Sequence, residues 1–376
     1  MAQRSWLPVL LFASTLSPTL FAAPRKIDPP VLTPQNSGTT QLLIAVSPVN
    51  SRVVWASGTG GTYVVTTDGG AHWRAGVVPG AEALQFRDVY AVSDKIAYLL
   101  SIGDNTTDFK IYKTFDGGKH WHIEFTNETT NAFYDCFAFW SPTRGLAHSD
   151  SVSGVFPELR TENGWTWHSI ANRMPPALAG EASFSSSGTC ITTQGHDNAW
   201  IATGGSTIAR ILATRDGGNT WNAYDTPLIS SPSGGGLSVA FRDPWNGMVG
   251  GGDLSTNADA DAAVSHDGGR TWTLTTQPPV TGAIFALAYT RGVEHRGDDW
   301  FGDFGREEDR RVVVTSEALP DFSTGQAAWS PDEGTTWYVI PRVSGYWSVA
   351  FANPQTGWFV GNNGSILKIS FEPDRH

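Results

Sequence analysis

Six copies of one eight-residue motif, Ser/Thr-x-Asp-Gly-Gly-x-Thr-Trp, run along the chain. The four clearest carry Asp68, Asp116, Asp216 and Asp267 and close on Trp73, Trp121, Trp221 and Trp272. Two are degraded: one runs from Arg160 to Trp167, the other from Ser330 through Asp332 to Trp337. Each reads as a hairpin turn. The Asp carboxylate can accept hydrogen bonds from backbone N–H groups of its own turn. The Gly after it supplies the positive φ of a tight hairpin. The Trp opens the next strand and can bury its ring. These residues are therefore expected to shape the fold and take no part in chemistry.

The steps between successive box tryptophans are 48, 46, 54, 51 and 65 residues. A period of about 40 to 50 residues suits a four-stranded propeller blade, and the long last step points to an insertion at residues 291–311. Strand-like runs alternate with Gly, Asn and Pro turns, and no long helical period interrupts them. Six small-apolar runs align as first strands, at residues 42–46, 88–92, 135–139, 237–241, 285–289 and 347–351, and a more polar one lies at 189–193. The fold predicted is all-β, a seven-bladed propeller of four-stranded antiparallel blades. Its last blade, at 357–361 and 365–370, is one strand short. Residues 31–39 precede the first full blade and read as the missing outer strand, which closes the ring and removes an open edge.

Residues 1–22 read as a secretory signal peptide, with Arg4, a short apolar run from Trp6 to Phe21 and a cleavage point at Ala22 and Ala23. Residues 23–376 form one propeller domain. A periplasmic or secreted monomer is expected, with no membrane insertion after signal removal. The net charge of −11 disfavours nucleic acid as a partner. Only Cys136 and Cys190 are present, on first strands of neighbouring blades. In an exported chain they either pair or stand as two buried thiols.

Function on a rigid scaffold usually sits on loops at one end. First-to-second strand turns and the boxes share one face of the ring, while blade-to-blade links and second-to-third strand loops share the other. On that other face the first strands begin with Arg87 and Asp88, Tyr134 and Asp135, and Tyr346 and Trp347. The same position elsewhere is Leu42, Leu237 or Phe285, so the polar residues break a local apolar rule. Second strands return His148, Asp150 and Asp253 to this face, and Glu181 lies on the link into blade four. Asp135, Asp150, Glu181 and Tyr346 are the candidate catalytic groups, since paired carboxylates can serve as acid and base in glycoside cleavage. Arg87, Asp88, Tyr134, His148, Asp253 and Trp347 are candidate ligand-binding groups. Arg87 beside Tyr346 can hold an anionic group or pair with an Asp of the next blade. Alternating oxygen ligands at 257–261 resemble the start of a calcium loop, but Ala262 stands where the usual Gly would be. No metal site and no cofactor are expected.

The motif resembles the Asp box of β-propeller proteins. With the Val-x-Phe…Gly-Trp-x-Val-Gly phrasing of residues 349–361, it makes residues 31–371 similar to the photosystem II stability/assembly factor-like proteins. The resemblance implies a non-catalytic assembly or binding role toward a protein. The photosynthetic members are implied to use a basic patch that this acidic chain does not obviously supply. Sialidases also carry Asp boxes, but Phe86-Arg87-Asp88-Val89 and Phe241-Arg242-Asp243-Pro244 do not match their Phe-Arg-Ile-Pro start. Asp-box xyloglucan hydrolases use two propellers around a cleft, where this chain has one ring. The expectation is an exported propeller that binds a protein or a glycan. The alternative is a carbohydrate-active enzyme, hydrolase or lyase, using carboxylates of the channel face.

Overall fold

The box turns adopt the conformation their residue types dictate. In the first, Asp68 Oδ1 accepts from the Thr66 hydroxyl at 2.9 Å and from the backbone N–H of His72 at 2.9 Å. Thr66 Oγ1 in turn accepts from the N–H of Gly70 at 2.9 Å. Gly69 and Gly70 sit at φ +73° and +88°, a region that favours glycine. Asp116, Asp216, Asp267 and Asp332 repeat the pattern. The turn of the third blade departs from the eight-residue alignment begun at Arg160. Asn163 there plays the Asp part, accepting from the N–H of Thr166, and Gly164 N–H donates to Thr161 only three residues back. That box is one residue shorter and begins at Thr161, so Glu162 takes the variable second position and Arg160 is outside it. In the last box Glu333 replaces the first Gly and still takes φ +54°.

A computed structural model describes residues 28–257, 261–290 and 310–372. These form seven four-stranded antiparallel sheets, a closed β-propeller. Blades one to six span 43–77, 85–126, 134–169, 191–225, 234–274 and 283–340. Blade seven consists of Tyr346–Asn353, Thr356–Gly361 and Ser365–Ser370, with Val31–Asn36 as its outer strand. Val31 pairs with Ser370 and Asn36 with Ser365, so the ring closes through an N-terminal strand, as the sequence predicts. Gln35 locks the joint: its side-chain oxygen accepts from the indoles of Trp73 in blade one and Trp358 in blade seven. The signal segment, the loop centred on Asp259 and most of the 291–311 insertion lie outside the described residues.

The core is divided between blades. Each interface holds its own apolar cluster, such as Trp55, Tyr63, Phe86 and Leu99 between blades one and two. Box tryptophans cap these clusters: Trp167, Trp221 and Trp272 are buried, while Trp73, Trp121 and Trp337 are partly covered. Burial of such rings contributes to the adhesion between blades. Cys136 and Cys190 are joined in a disulfide between blade three and the entry to blade four.

Candidate functional site

Six of the seven inner strands carry a register shift at one equivalent point. The residues in the shift are Ile44, Arg87, Asp135, Leu237, Phe285 and Trp347. A bulge re-aims the side chain that it displaces. Arg87 and Asp135 thus occupy equivalent places in adjacent blades, whereas the sequence alignment sets Asp88 against Asp135. In blade one the equivalent residue is Ile44, not Leu42.

Three of the rim candidates and one aromatic converge. Asp135 is buried and hydrogen-bonded to Asp150, and the Arg87 guanidinium acts on it electrostatically. Burial and the neighbouring Asp150 hold the Asp135 carboxyl well above the usual carboxylate range. Burial also raises Asp150. Arg87 lies over the ring of Trp347, 5.8 Å from its centre, and donates to the carbonyl of Ser185. The partner of Arg87 is therefore Trp347, not Tyr346, which is half-buried against Phe359. Arg87 Nε, Asp135 Oδ2 and Trp347 Nε1 are buried without a hydrogen-bond partner.

The other rim candidates are engaged by neighbouring groups of the fold. Asp88 accepts from the N–H groups of Val89 and Phe137, and burial raises its carboxyl. Tyr134 donates to the carbonyl of Pro157. His148 and Glu158 form a wholly buried pair, Nδ1 to Oε2 at 2.7 Å. Glu181 makes a two-pronged ion pair with Arg210 and accepts from Thr203 and the N–H of Leu178. Asp253 accepts from Ser231, Ser233 and Ser255 and so caps its own loop.

A feature that the sequence reading missed lies between these groups and the axis. Residues 183–190 cross the centre of the ring. Ser183 N–H donates to Asp150 in blade three, and the Ser187 hydroxyl donates to the Phe285 carbonyl in blade six. The Ser348 hydroxyl of blade seven donates to the Ser187 carbonyl, and Thr189 bonds Ser238 of blade five. Arg87 of blade two holds Ser185, and Cys190 is bonded to Cys136. A Cβ placed on Gly188 would meet Ala45 of blade one at 3.3 Å. One segment thus reaches all six other blades, which only a crossing of the axis permits. It stops the channel on the face opposite the boxes.

Below this stop the channel is open. A cavity of about 940 Å³ runs from Ser187, Gly188 and Thr189 to the first-to-second strand turns beside the boxes. One half-buried side chain per blade faces it at the same register: Ser47, Tyr90, Ala138, Thr192, Ala240, Ala288 and Ala350. Of these seven only Tyr90 is bulky and none is charged. Near the mouth, Arg242 is neutralised by Asp243 and Glu333, and Tyr289 donates to Glu333. The Ala-rich register was visible in the aligned first strands. Its meaning as an open well depended on knowing which end was stopped. Among the described residues no group of three or more His, Cys, Asp or Glu side chains could hold a metal.

The chain is thus a seven-bladed β-propeller with a blind channel. Neither a protein-family model nor a curated protein matches it. Solved structures share the fold. YCF48 from Cyanidioschyzon merolae is 17% identical with a TM-score of 0.60, covering 90% of this chain and 98% of that one. YCF48 bound to D1 peptide is 16% identical with a TM-score of 0.57, covering 92% and 98%. The GH74 xyloglucanase from Xanthomonas campestris is 12% identical with a TM-score of 0.60, covering 90% of this chain and 53% of that one.

Proposed function

We propose that the chain is an exported, non-catalytic binding propeller that holds a protein partner. The observation that carries this reading is the state of the carboxylates. Glu181 is tied to Arg210, Glu158 to His148, and Asp135 to Asp150. Retaining and inverting glycosidases hold their two carboxyl groups about 5–9.5 Å apart, with a sugar between them. Asp135 and Asp150 touch each other, and the N–H of Ser183 bonds Asp150. A sugar has no room between them. Seven neutral side chains, one from each blade, face the space the ring does offer, a surface suited to binding. The fold shared with YCF48 bound to D1 peptide is in keeping with a peptide-binding role. Export is supported by the Cys136–Cys190 bond, since disulfides persist in oxidising compartments.

The test sets stoichiometric cross-linking to a protein partner in periplasmic extract against release of sugar from a panel of polysaccharides. One saturable protein partner and no turnover is the expected result. Saccharide turnover that disappears in Asp135→Asn would overturn the reading in favour of a carbohydrate-active enzyme.

A further inference from the structure

The stopped end of the channel carries an apolar cluster of its own. Phe285 is buried, and Phe184, Leu254, Phe322 and Trp347 pack about it half-buried. They come from the crossing segment, from the second-to-third strand loops of blades five and six, and from the inner strands of blades six and seven. Phe322 and Trp347 stand 5.6 and 5.1 Å from the Phe285 ring and 6.4 Å from each other, between centres. Apolar patches left open and rimmed by polar groups mark interaction sites.

The loop that brings Phe322 here is braced from both neighbouring blades. Asn257 of blade five bonds the N–H and the carbonyl of Leu319, at 2.7 and 3.3 Å. Asn362 of blade seven donates to the Phe322 carbonyl, and the Ser344 hydroxyl to that of Ser323. So held, Phe322 keeps φ +53°, which non-glycine residues rarely adopt. Its ring is set in place before any partner arrives, which lowers the ordering cost of binding.

The rim is acidic. Asp253 precedes Leu254, and Asp321 precedes Phe322. Residues 253–261 and 317–326 contain no Lys or Arg, and the links at 275–282 and 341–345 add only Arg342. Arg87 is engaged by Trp347 and Asp135, and Arg210 by Glu181. The hydroxyls of Ser231, Ser255 and Ser233 hold the Asp253 carboxyl well below the usual carboxylate range, and Asp321 is exposed. An apolar centre within a negative rim complements a positive partner that offers an apolar anchor. A second copy of this chain is a poor match, because two chains of net charge −11 repel.

We propose that this patch, on the face opposite the boxes, docks a basic segment of a protein partner. An apolar side chain of that segment seats against Phe322 and Trp347, and its Lys or Arg side chains meet Asp253 and Asp321. This inference rests on the binding-protein reading and names the partner's chemistry and the face it meets.

The test uses the full mature protein and three labelled synthetic peptides of equal length, read by fluorescence anisotropy. One is basic with a central aromatic residue, one is basic with Ser in its place, and one is acidic with the aromatic kept. The first is expected to bind, and the other two at least about tenfold more weakly. Its affinity is expected to fall about tenfold in Phe322→Ala and at least about threefold in Asp321→Lys. Asp94→Lys, an equal change of charge on the box face, is expected to leave it unchanged. Bound peptide is expected to slow amide exchange at residues 318–325, a readout that needs no substitution. Equal loss in Asp94→Lys would show attraction to net charge alone and overturn the patch, as would unchanged binding in both Phe322→Ala and Asp321→Lys. Tight binding of the acidic peptide overturns the partner's charge. A concentration-dependent dimer that Asp321→Lys dissolves gives the face to a second copy and overturns the basic partner. Failure of all three peptides overturns this docking surface, while a partner cross-linked elsewhere on the ring leaves the binding reading standing.

Discussion

Gly188 stands so close to Asp88 that a Cβ at position 188 would fall 2.4 Å from the Asp88 Oδ1 atom. One residue is on the segment that crosses the ring and the other is on the inner strand of blade two. Gly188 also has φ +72°, where a side chain is strained whatever the space. Gly188→Ala is expected to lower stability by about 1–3 kcal/mol, read from urea unfolding. Hydrogen exchange should quicken first at residues 185–189. Unchanged stability and exchange would mean that the segment does not pack across the axis.

The Cys136–Cys190 bond fastens the same segment to blade three over a separation of 54 residues. Loop closure on this scale is worth about 2–4 kcal/mol. The double variant Cys136→Ser, Cys190→Ser should unfold at correspondingly lower urea. Intact mass should show the wild-type chain two hydrogen atoms lighter than its reduced form. Free thiols in protein isolated from its native compartment would contradict the pairing.

Glu317 ends the second strand of blade six with one oxygen unpartnered, and burial pushes its carboxyl up to about 8. Its unfolded value lies near 4.5. The folded state therefore holds the proton more tightly, and stability falls as pH rises from about 4.5 to about 8. Glu317→Gln removes that slope. The variant should match wild type near pH 4.5 and exceed it above pH 8 by urea midpoint, with the difference growing through the interval. A difference that is constant with pH would show that Glu317 is ionised in the fold.

Gln35 joins the two ends of the chain by accepting from Trp73 and Trp358 and donating to the Gly69 carbonyl. Gln35→Ala strips both indole N–H groups of their partner, at about 1–3 kcal/mol for each buried group left unsatisfied. Exchange protection should be lost at Val31–Asn36 and Ser365–Ser370 before any other blade. Uniform loss across all blades would show that ring closure does not hinge on this joint.

Much of the architecture was legible because it is written in local chemistry. An Asp, two glycines and a Trp at fixed spacing can do little but turn a hairpin; six such turns set the repeat, and the seven aligned first strands count the blades. The incomplete last blade and the spare strand at residues 31–39 likewise implied each other before any contact was seen. The candidate site was legible only in part. Arg87, Asp135, Asp150 and Trp347 do meet, whereas Glu181, His148 and Asp253 were taken up by Arg210, Glu158 and a serine-rich loop. Residue type marks a side chain as capable of chemistry, and only its neighbours decide whether it is free to perform it.

The sequence by itself determined the number of blades, their turns and the way the ring closes, because each depends on residues near in the chain or on one repeated pattern. The tertiary structure alone decided which end of the channel is stopped. Ser185 to Thr189 has no strong strand or turn signal. Its course is set by bonds to Arg87, Phe285, Ser348 and Ser238, residues about 49 to 161 positions away. Contacts of that range leave no periodicity in the sequence, since they are made by whichever blades the closed ring brings to its axis.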